Sequence, residues 1–252
     1  MRNVFSTIVL SFLLVPLVTS PLGAQDHWTR FRGKNGNGVV PDDPRLPVRW
    51  NAKENVQWKT KILGWGWGSP VVWGDRVFVT AVHSDLDYEK PKGGLYLGQG
   101  RPAPPDAVHH WMIYCLNLED GTIIWKHEAH QGKPKVPRHP KSTYAAETPT
   151  IDGDRIYVLF GDLGLYCLDL DGQPLWKHSL IPRKTAAGYG AAASPVVHEN
   201  QVIMVYDNEE ESFIAAHDAV TGEIRWKIPR NEKSTWATPF VWKHTGGVEI
   251  VV

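Results

Sequence analysis

Cysteine is scarce, neither charge is in excess, and no long apolar run interrupts the body of this chain. Each shortage removes a class of protein. There are two Cys in 252 residues, Cys115 and Cys167. Neither belongs to a C-x-x-C pair, which excludes a disulfide framework and a thiolate zinc site. Lys and Arg number 27 against 27 Asp and Glu. A nucleic-acid binder needs a basic surplus to neutralise phosphates, so no nucleic-acid partner is expected. After residue 24 nothing is long and apolar enough to span a bilayer, and the 3.6-residue periodicity of an amphipathic helix is missing. What the chain does have is 12 Trp, 23 Gly and 19 Pro. Turn-formers with large aromatics point to short strands joined by tight turns.

The first 24 residues read as an address. Arg2 precedes an apolar stretch through Ile8, Leu10, Phe12, Leu13, Leu14 and Val15, and small residues follow up to Gly23-Ala24. That is the layout of a secretory signal peptide. A membrane anchor is the competing reading, but Ser11 and Pro16 interrupt the run, which falls short of the roughly 20 residues a span requires. Cleavage near Ala24 would place the remainder outside the cytoplasm, secreted or periplasmic.

The rest is built on a repeat. Ser69-Pro70, Thr148-Pro149, Ser194-Pro195 and Thr238-Pro239 each open a run of β-formers, a polar turn and further β-formers. Three of these units continue into a second half. Tyr114-Cys115-Leu116-Asn117 leads through Asp120-Gly121 to Trp125; Tyr166-Cys167-Leu168-Asp169 leads through Asp171-Gly172 to Trp176; Ala216-His217-Asp218 leads through Thr221-Gly222 to Trp226. The three Trp are 51 and 50 residues apart. Four strands in such a unit match one blade of a β-propeller. The predicted fold is therefore all-β, with four-stranded antiparallel blades. A bulky ring ending the outermost strand can wedge between neighbouring sheets, burying area a smaller residue could not. Trp58 ends a similar strand whose companions lie elsewhere. The divisions read as 25–68 with that orphan outer strand, 69–127 with an insertion over 81–110, 128–178, 179–228, and the first half of a further blade over 229–252.

Ala216-His217-Asp218-Ala219-Val220-Thr221-Gly222-Glu223-Ile224-Arg225-Trp226 fits the A-x-D-x-x-T-G-x-x-x-W tryptophan-docking pattern at every fixed position. The stretches ending at Trp125 and Trp176 are looser copies, the second one residue shorter. The chain thus resembles the pyrroloquinoline-quinone (PQQ) repeat propellers, a superfamily that holds both quinoprotein alcohol dehydrogenases and an outer-membrane assembly lipoprotein. The opening Trp28-Thr29-Arg30-Phe31-Arg32-Gly33 is similar to that of its secreted bacterial members. The resemblance implies eight blades, about twice what this chain provides. The remaining blades are expected from a longer chain, or from a second copy if the short form is genuine.

Strand order fixes which loops share a face: those leading into each innermost strand and those joining second to third strands. The lead-in loops carry Trp65 and Trp67, Tyr144, Tyr189, and Trp236, each among small residues. Such rings either plug the central channel or form a platform for a planar or sugar-like ligand. The insertion brings Tyr88, Tyr96, Arg101 and His109-His110 to the same face, as a lid toward a partner or substrate. In the third blade Asp207, Asn208 and Glu209 offer oxygens to Ca²⁺, or simply form a solvated acidic tip. Basic residues over 128–141, with Arg183-Lys184, suit an anionic polysaccharide. Cys115 and Cys167 share one repeat position and read as small buried residues. His127 and His178 both follow Trp-Lys and belong to the repeat.

Two functions follow. A secreted binding or scaffold propeller, holding a protein or polysaccharide on its loop-bearing face, needs only features already visible. The resemblance implies the alternative, a PQQ- and calcium-dependent alcohol or sugar dehydrogenase. The paired adjacent cysteines typical of those enzymes and a haem-binding C-x-x-C-H are both missing from the sequence.

Overall fold

A computed structural model describes residues 27–86, 94 and 106–252. The stretch expected to be a signal peptide and most of the insertion, with Tyr88, Tyr96 and Arg101, lie outside the described residues. Three four-stranded antiparallel sheets follow one another along the chain. The first comprises β1 (Val71–Trp73), β2 (Arg76–Ser84), β3 (His109–Asn117) and β4 (Ile123–Gly132). The second comprises β5 (Thr150–Asp152), β6 (Arg155–Phe160), β7 (Gly164–Asp169) and β8 (Pro174–Ser179). The third comprises β9 (Val196–His198), β10 (Gln201–Tyr206), β11 (Ser212–Asp218) and β12 (Ile224–Arg230). A two-stranded sheet, β13 (Phe240–His244) and β14 (Gly247–Val251), completes the described chain. The only helical turn among the described residues is a 3-10 turn at Ala186–Gly188.

The ladders run longer in the first sheet than the sequence suggests. β2 and β3 pair as far as Ser84 with His109, so 81–84 and 109–110 are strand and the insertion proper spans 85–108. Apolar residues continue on β2 into Ala81 and Val82, and their partners Met112 and Trp111 cover them.

The middle strands are buried on both faces: the second sheet lies between the first and the third, the third between the second and the last pair, and the outer face of the first is covered by the segment carrying Trp58 and Ile62. On β6, Ile156, Val158 and Phe160 pack toward the first sheet with Phe78, Trp111 and Ile113. Tyr157 and Leu159 point the other way, onto Val202, Met204 and Tyr206 of the third. Ile203 and Val205 meet Val241 and Ile250 of the last pair. This period-two division is what stacks blades around an axis.

The indoles interlock the sheets. Trp125 Nε1 donates to Leu170 O at 2.9 Å and Trp176 Nε1 to Ala219 O at 3.1 Å, each in the turn between third and fourth strands of the next sheet. Trp58 does the same to Leu118 O at 2.9 Å, although 56–62 has no ladder partner among the described residues. Each ring lies on the glycine of the turn that receives it. A Cβ at Gly121, Gly172 or Gly222 would sit 2.3, 2.8 or 2.6 Å from the ring of Trp58, Trp125 or Trp176. All three glycines have positive φ, which a side chain would resist. Asp218 shapes its turn by accepting the Val220 and Thr221 amides, at 2.8 and 2.9 Å. The shorter copy closes with Gly172 N on Asp169 O, one residue tighter than Gly222 N on Asp218 O. Trp226 turns instead to Gln201 Oε1 of its own sheet, at 2.8 Å. Cys115, Cys167 and Ala216 pair with Trp125, Trp176 and Trp226. Both thiols are free and buried, and desolvation pushes each up to about 12.

Candidate functional site

The Ser/Thr-Pro signature has its reason at the axis. Ser69 N donates to Thr148 Oγ1 at 2.9 Å, Thr148 N to Ser194 Oγ at 2.9 Å, and Ser194 N to Thr238 Oγ1 at 3.0 Å. Each hydroxyl satisfies an amide of the preceding blade that would otherwise be buried without a partner. This relay fixes the spacing of the lead-in loops.

Those loops bind one another as well. Trp67 N donates to Ala145 O at 2.8 Å, and its indole donates to Lys141 O at 2.5 Å while 53% of the residue stays exposed. Trp236 Nε1 donates to Gly190 O at 2.7 Å, with 40% exposure. Tyr189 lies 6.0 Å from Trp236 and 4.6 Å, edge-on, from His139. Tyr144 is buried, its hydroxyl on Val136 O and its ring near His109 and Trp111. Trp65 pairs through its backbone with Val82. Tyr144 and Trp65 thus serve the packing between loops and sheets, while Trp67 and Trp236 are anchored yet offer open ring surface.

The acidic loop after β10 is neither a solvated tip nor a convergent ligand set. Asp207 is buried, and Arg230 grips it with Nε to Oδ1 at 2.9 Å and Nη2 to Oδ2 at 3.2 Å. Thr235 Oγ1 adds a bond to Oδ2 at 2.7 Å. Asn208 is buried and shapes the loop: its amide donates to Tyr206 O and Glu211 O, and its carbonyl accepts the Glu210 and Glu211 amides. Glu209 accepts from the hydroxyl and amide of Ser234 at 2.7 and 3.1 Å. Those bonds hold its carboxyl below the usual range. Both Asp207 oxygens, Asn208 Oδ1 and Glu209 Oε1 already accept from protein donors, so these residues present no open, convergent set of oxygens for the calcium of a quinone site. Among the described residues no cluster of three His, Cys, Asp or Glu side chains could hold a metal.

Two carboxyls that the sequence reading did not single out lie on this face. Glu147 ends the lead-in loop of the second blade, and Asp162 lies between β6 and β7. They are 3% and 7% exposed. Gly161 N donates to Glu147 Oε1 at 2.9 Å, whereas Asp162 Oδ2 meets no partner. Desolvation pushes Glu147 up to about 8, with Asp162 adding repulsion, and pushes Asp162 up to about 7. One signal was available: the other blades place Gly68, Ala193 and Ala237 before their Ser/Thr-Pro, where this one has Glu147.

Below the insertion, His110 joins Glu128 at 2.6 Å through Nδ1 and Asp85 at 2.7 Å through Nε2. These bonds, Glu128's foremost, raise its pKa. At the far end of the axis, Trp28 pairs with Val72, Ile151 N donates to Thr29 O at 2.8 Å, and His27 stacks on Trp73 at 4.0 Å. The opening segment therefore lies across the innermost strands, beside a groove of about 650 Å³.

Four-stranded sheets locked by one indole apiece around lead-in loops define a β-propeller of the tryptophan-docking type. More narrowly, the family described as outer membrane protein assembly factor BamB matches residues 26–242, and the chain belongs to this PQQ-repeat family. It is 21% identical to a polyvinylalcohol dehydrogenase of a Pseudomonas species over 229 residues, 84% of this chain and 30% of that protein. Among solved structures, the quinohemoprotein alcohol dehydrogenase of Comamonas testosteroni aligns with a TM-score of 0.50 at 15% identity, over 81% of this chain and 27% of the enzyme. BamB from Moraxella catarrhalis aligns at 18% identity and a TM-score of 0.34, over 55% and 38%. The chain spans less than two-fifths of the length of each.

Proposed function

We propose that the chain is part of an exported binding or scaffold propeller, whose lead-in face holds a polysaccharide or a protein. One observation carries this reading: Trp67 and Trp236 keep half-exposed rings while their N–H groups are tied to neighbouring loops. Rings fixed before contact lose little freedom on binding, and indole faces suit sugar rings and apolar protein surface alike. Membership of a family described by an assembly factor supports a protein partner, and the basic 128–141 connection supports an acidic glycan. Export rests on the signal-peptide layout of 1–24. No helix among the described residues is long and apolar enough to cross a membrane.

The dehydrogenase reading draws on the likeness to the polyvinylalcohol enzyme. Within this chain, Asp207, Asn208 and Glu209 are already bonded to protein groups, so they supply no open calcium site. Affinity electrophoresis through immobilised uronic and sulfated polysaccharides tests the binding reading. Retardation of the wild type, reduced about tenfold or more in Trp67→Ala with Trp236→Ala, supports it. Unretarded wild type, combined with stoichiometric quinone uptake and dye-linked alcohol oxidation in PQQ and Ca²⁺, overturns it.

A further inference from the structure

Acids and bases balance over the whole chain, 27 of each, yet one groove is strongly one-sided. It is the groove of about 650 Å³ beside the opening segment, and a second hollow of about 500 Å³ shares Arg30 and Phe240 with it as a common wall. Arg30, Arg32, Lys34 and Lys243 line the two, against one carboxylate among the described residues, Asp152. None of the four cations enters an ion pair among the described residues. Arg30 is half-buried, and its one hydrogen bond there is a long one, Nε to Gly33 O at 3.4 Å. Both Nη groups are left without a protein acceptor among the described residues. Burial lowers its pKa, as expected of a cation drawn out of water without a counterion. The loop presenting these cations is built before any ligand arrives. Gly33 N donates to Arg30 O, Gly36 N to Gly33 O and Gly38 N to Arg32 O, each at 2.9 Å, and the Trp28 ring lies on Gly33.

We propose that this groove binds an acidic oligosaccharide, with a carboxylate or sulfate of the sugar on the Arg30 guanidinium. A planar guanidinium whose Nη edge is open takes such an oxyanion through paired hydrogen bonds. Lys34 and Lys243, both exposed, attract further charges along the sugar chain. Trp73 and Trp242 also line the groove, and indole faces suit the apolar side of a sugar ring. The groove is concave and of small-ligand size, which favours a sugar chain over the broad face of an acidic protein. The site lies at the end of the axis away from the Trp67 loop, and its occupancy does not depend on the binding reading above.

The test is calorimetric titration of the full chain with tetragalacturonate, a heparin tetrasaccharide and neutral cellotetraose. Saturable binding of at least one acidic probe, about tenfold or more tighter than cellotetraose and weakened about tenfold or more by Arg30→Gln, supports the site. The two acidic probes separate a carboxylate ligand from a sulfated one. Affinity should also fall as salt rises from about 50 to 300 mM. Trp236 lines the second hollow, so Trp67→Ala is the control for the lead-in face and should leave this binding unchanged. Lys34→Ala combined with Lys243→Ala, at exposed positions, should weaken binding several-fold and gives the same reading if Arg30→Gln does not fold. Failure of both acidic probes to bind the wild type overturns the proposal, as does equal affinity for cellotetraose. Binding that is lost in Trp67→Ala but unchanged in Arg30→Gln also overturns it, because the sugar then sits on the lead-in face, as the earlier reading has it.

Discussion

Replacing Gly222 by Ala tests the interlocking of the blades against a built-in control. Gly222 and Gly153 both have positive φ, +76° and +60°, so alanine meets backbone strain at either position. That strain is worth about 1–2 kcal/mol. Nothing lies within 4 Å of a Cβ at Gly153, whereas at Gly222 the Cβ would sit 2.6 Å from the Trp176 ring. Displacing a packed indole adds an overpacking cost of about 1–3 kcal/mol and endangers its bond to Ala219 O. The expected losses are therefore about 1–2 kcal/mol for Gly153→Ala and about 2–5 kcal/mol for Gly222→Ala. For a chain of this length, 1 kcal/mol corresponds to about 2–4 °C in melting temperature. Urea unfolding followed by Trp fluorescence separates the two. In a Trp176→Ala background the gap between the two alanine variants should close, because the obstructing ring is gone. Equal losses at both glycines in the wild-type background would refute the claim that the indole dictates the glycine.

Three further outcomes follow from the axis and its flanks. Glu147 is raised to about 8 when folded, so its burial weakens the fold progressively as pH rises from about 4.5 toward 8. Glu147→Gln should flatten that decline and gain on the order of 3 kcal/mol at pH 7; an unchanged pH profile of urea midpoints refutes it. His110 has a raised folded pKa, so its ion pairs stabilise fully below about pH 6.5 and fade as pH climbs through the folded value. His110→Gln should melt lower than wild type at pH 6 and match it at pH 9, as read by calorimetry. Ser194→Ala removes the hydroxyl that accepts the buried Thr148 amide, and urea titration should register a loss of about 1–3 kcal/mol.

The blade pattern was legible because its determinants are local. Asp218, Thr221 and Gly222 build their turn from adjacent residues, and β6 is a continuous run of β-formers from Ile156 to Phe160. The Ser/Thr-Pro signature was equally visible, but its purpose was not, since each hydroxyl serves an amide in a different blade, as Ser194 serves Thr148. The Asp207 loop misled for the same reason. Its acidic run suggests solvation or calcium, while the deciding partner, Arg230, arrives from the end of β12. Burial was the other hidden quantity. Glu147 is a misfit among four aligned positions that went unread in the sequence, and only the packing of Gly161 and Ala191 around it turns that oddity into an enclosed carboxyl.

The docking of each indole also orders events in time. Trp58, Trp125 and Trp176 are received by residues 60, 45 and 43 positions further along the chain. A sheet leaving the ribosome can complete its own ladder, yet its terminal ring stays uncovered until the following unit has been synthesised and its glycine turn has closed. Maturation on the ribosome thus trails translation by one unit. A pause shortly after Trp176, before Gly222 emerges, would leave a nascent chain with one unprotected aromatic surface for a chaperone to shield.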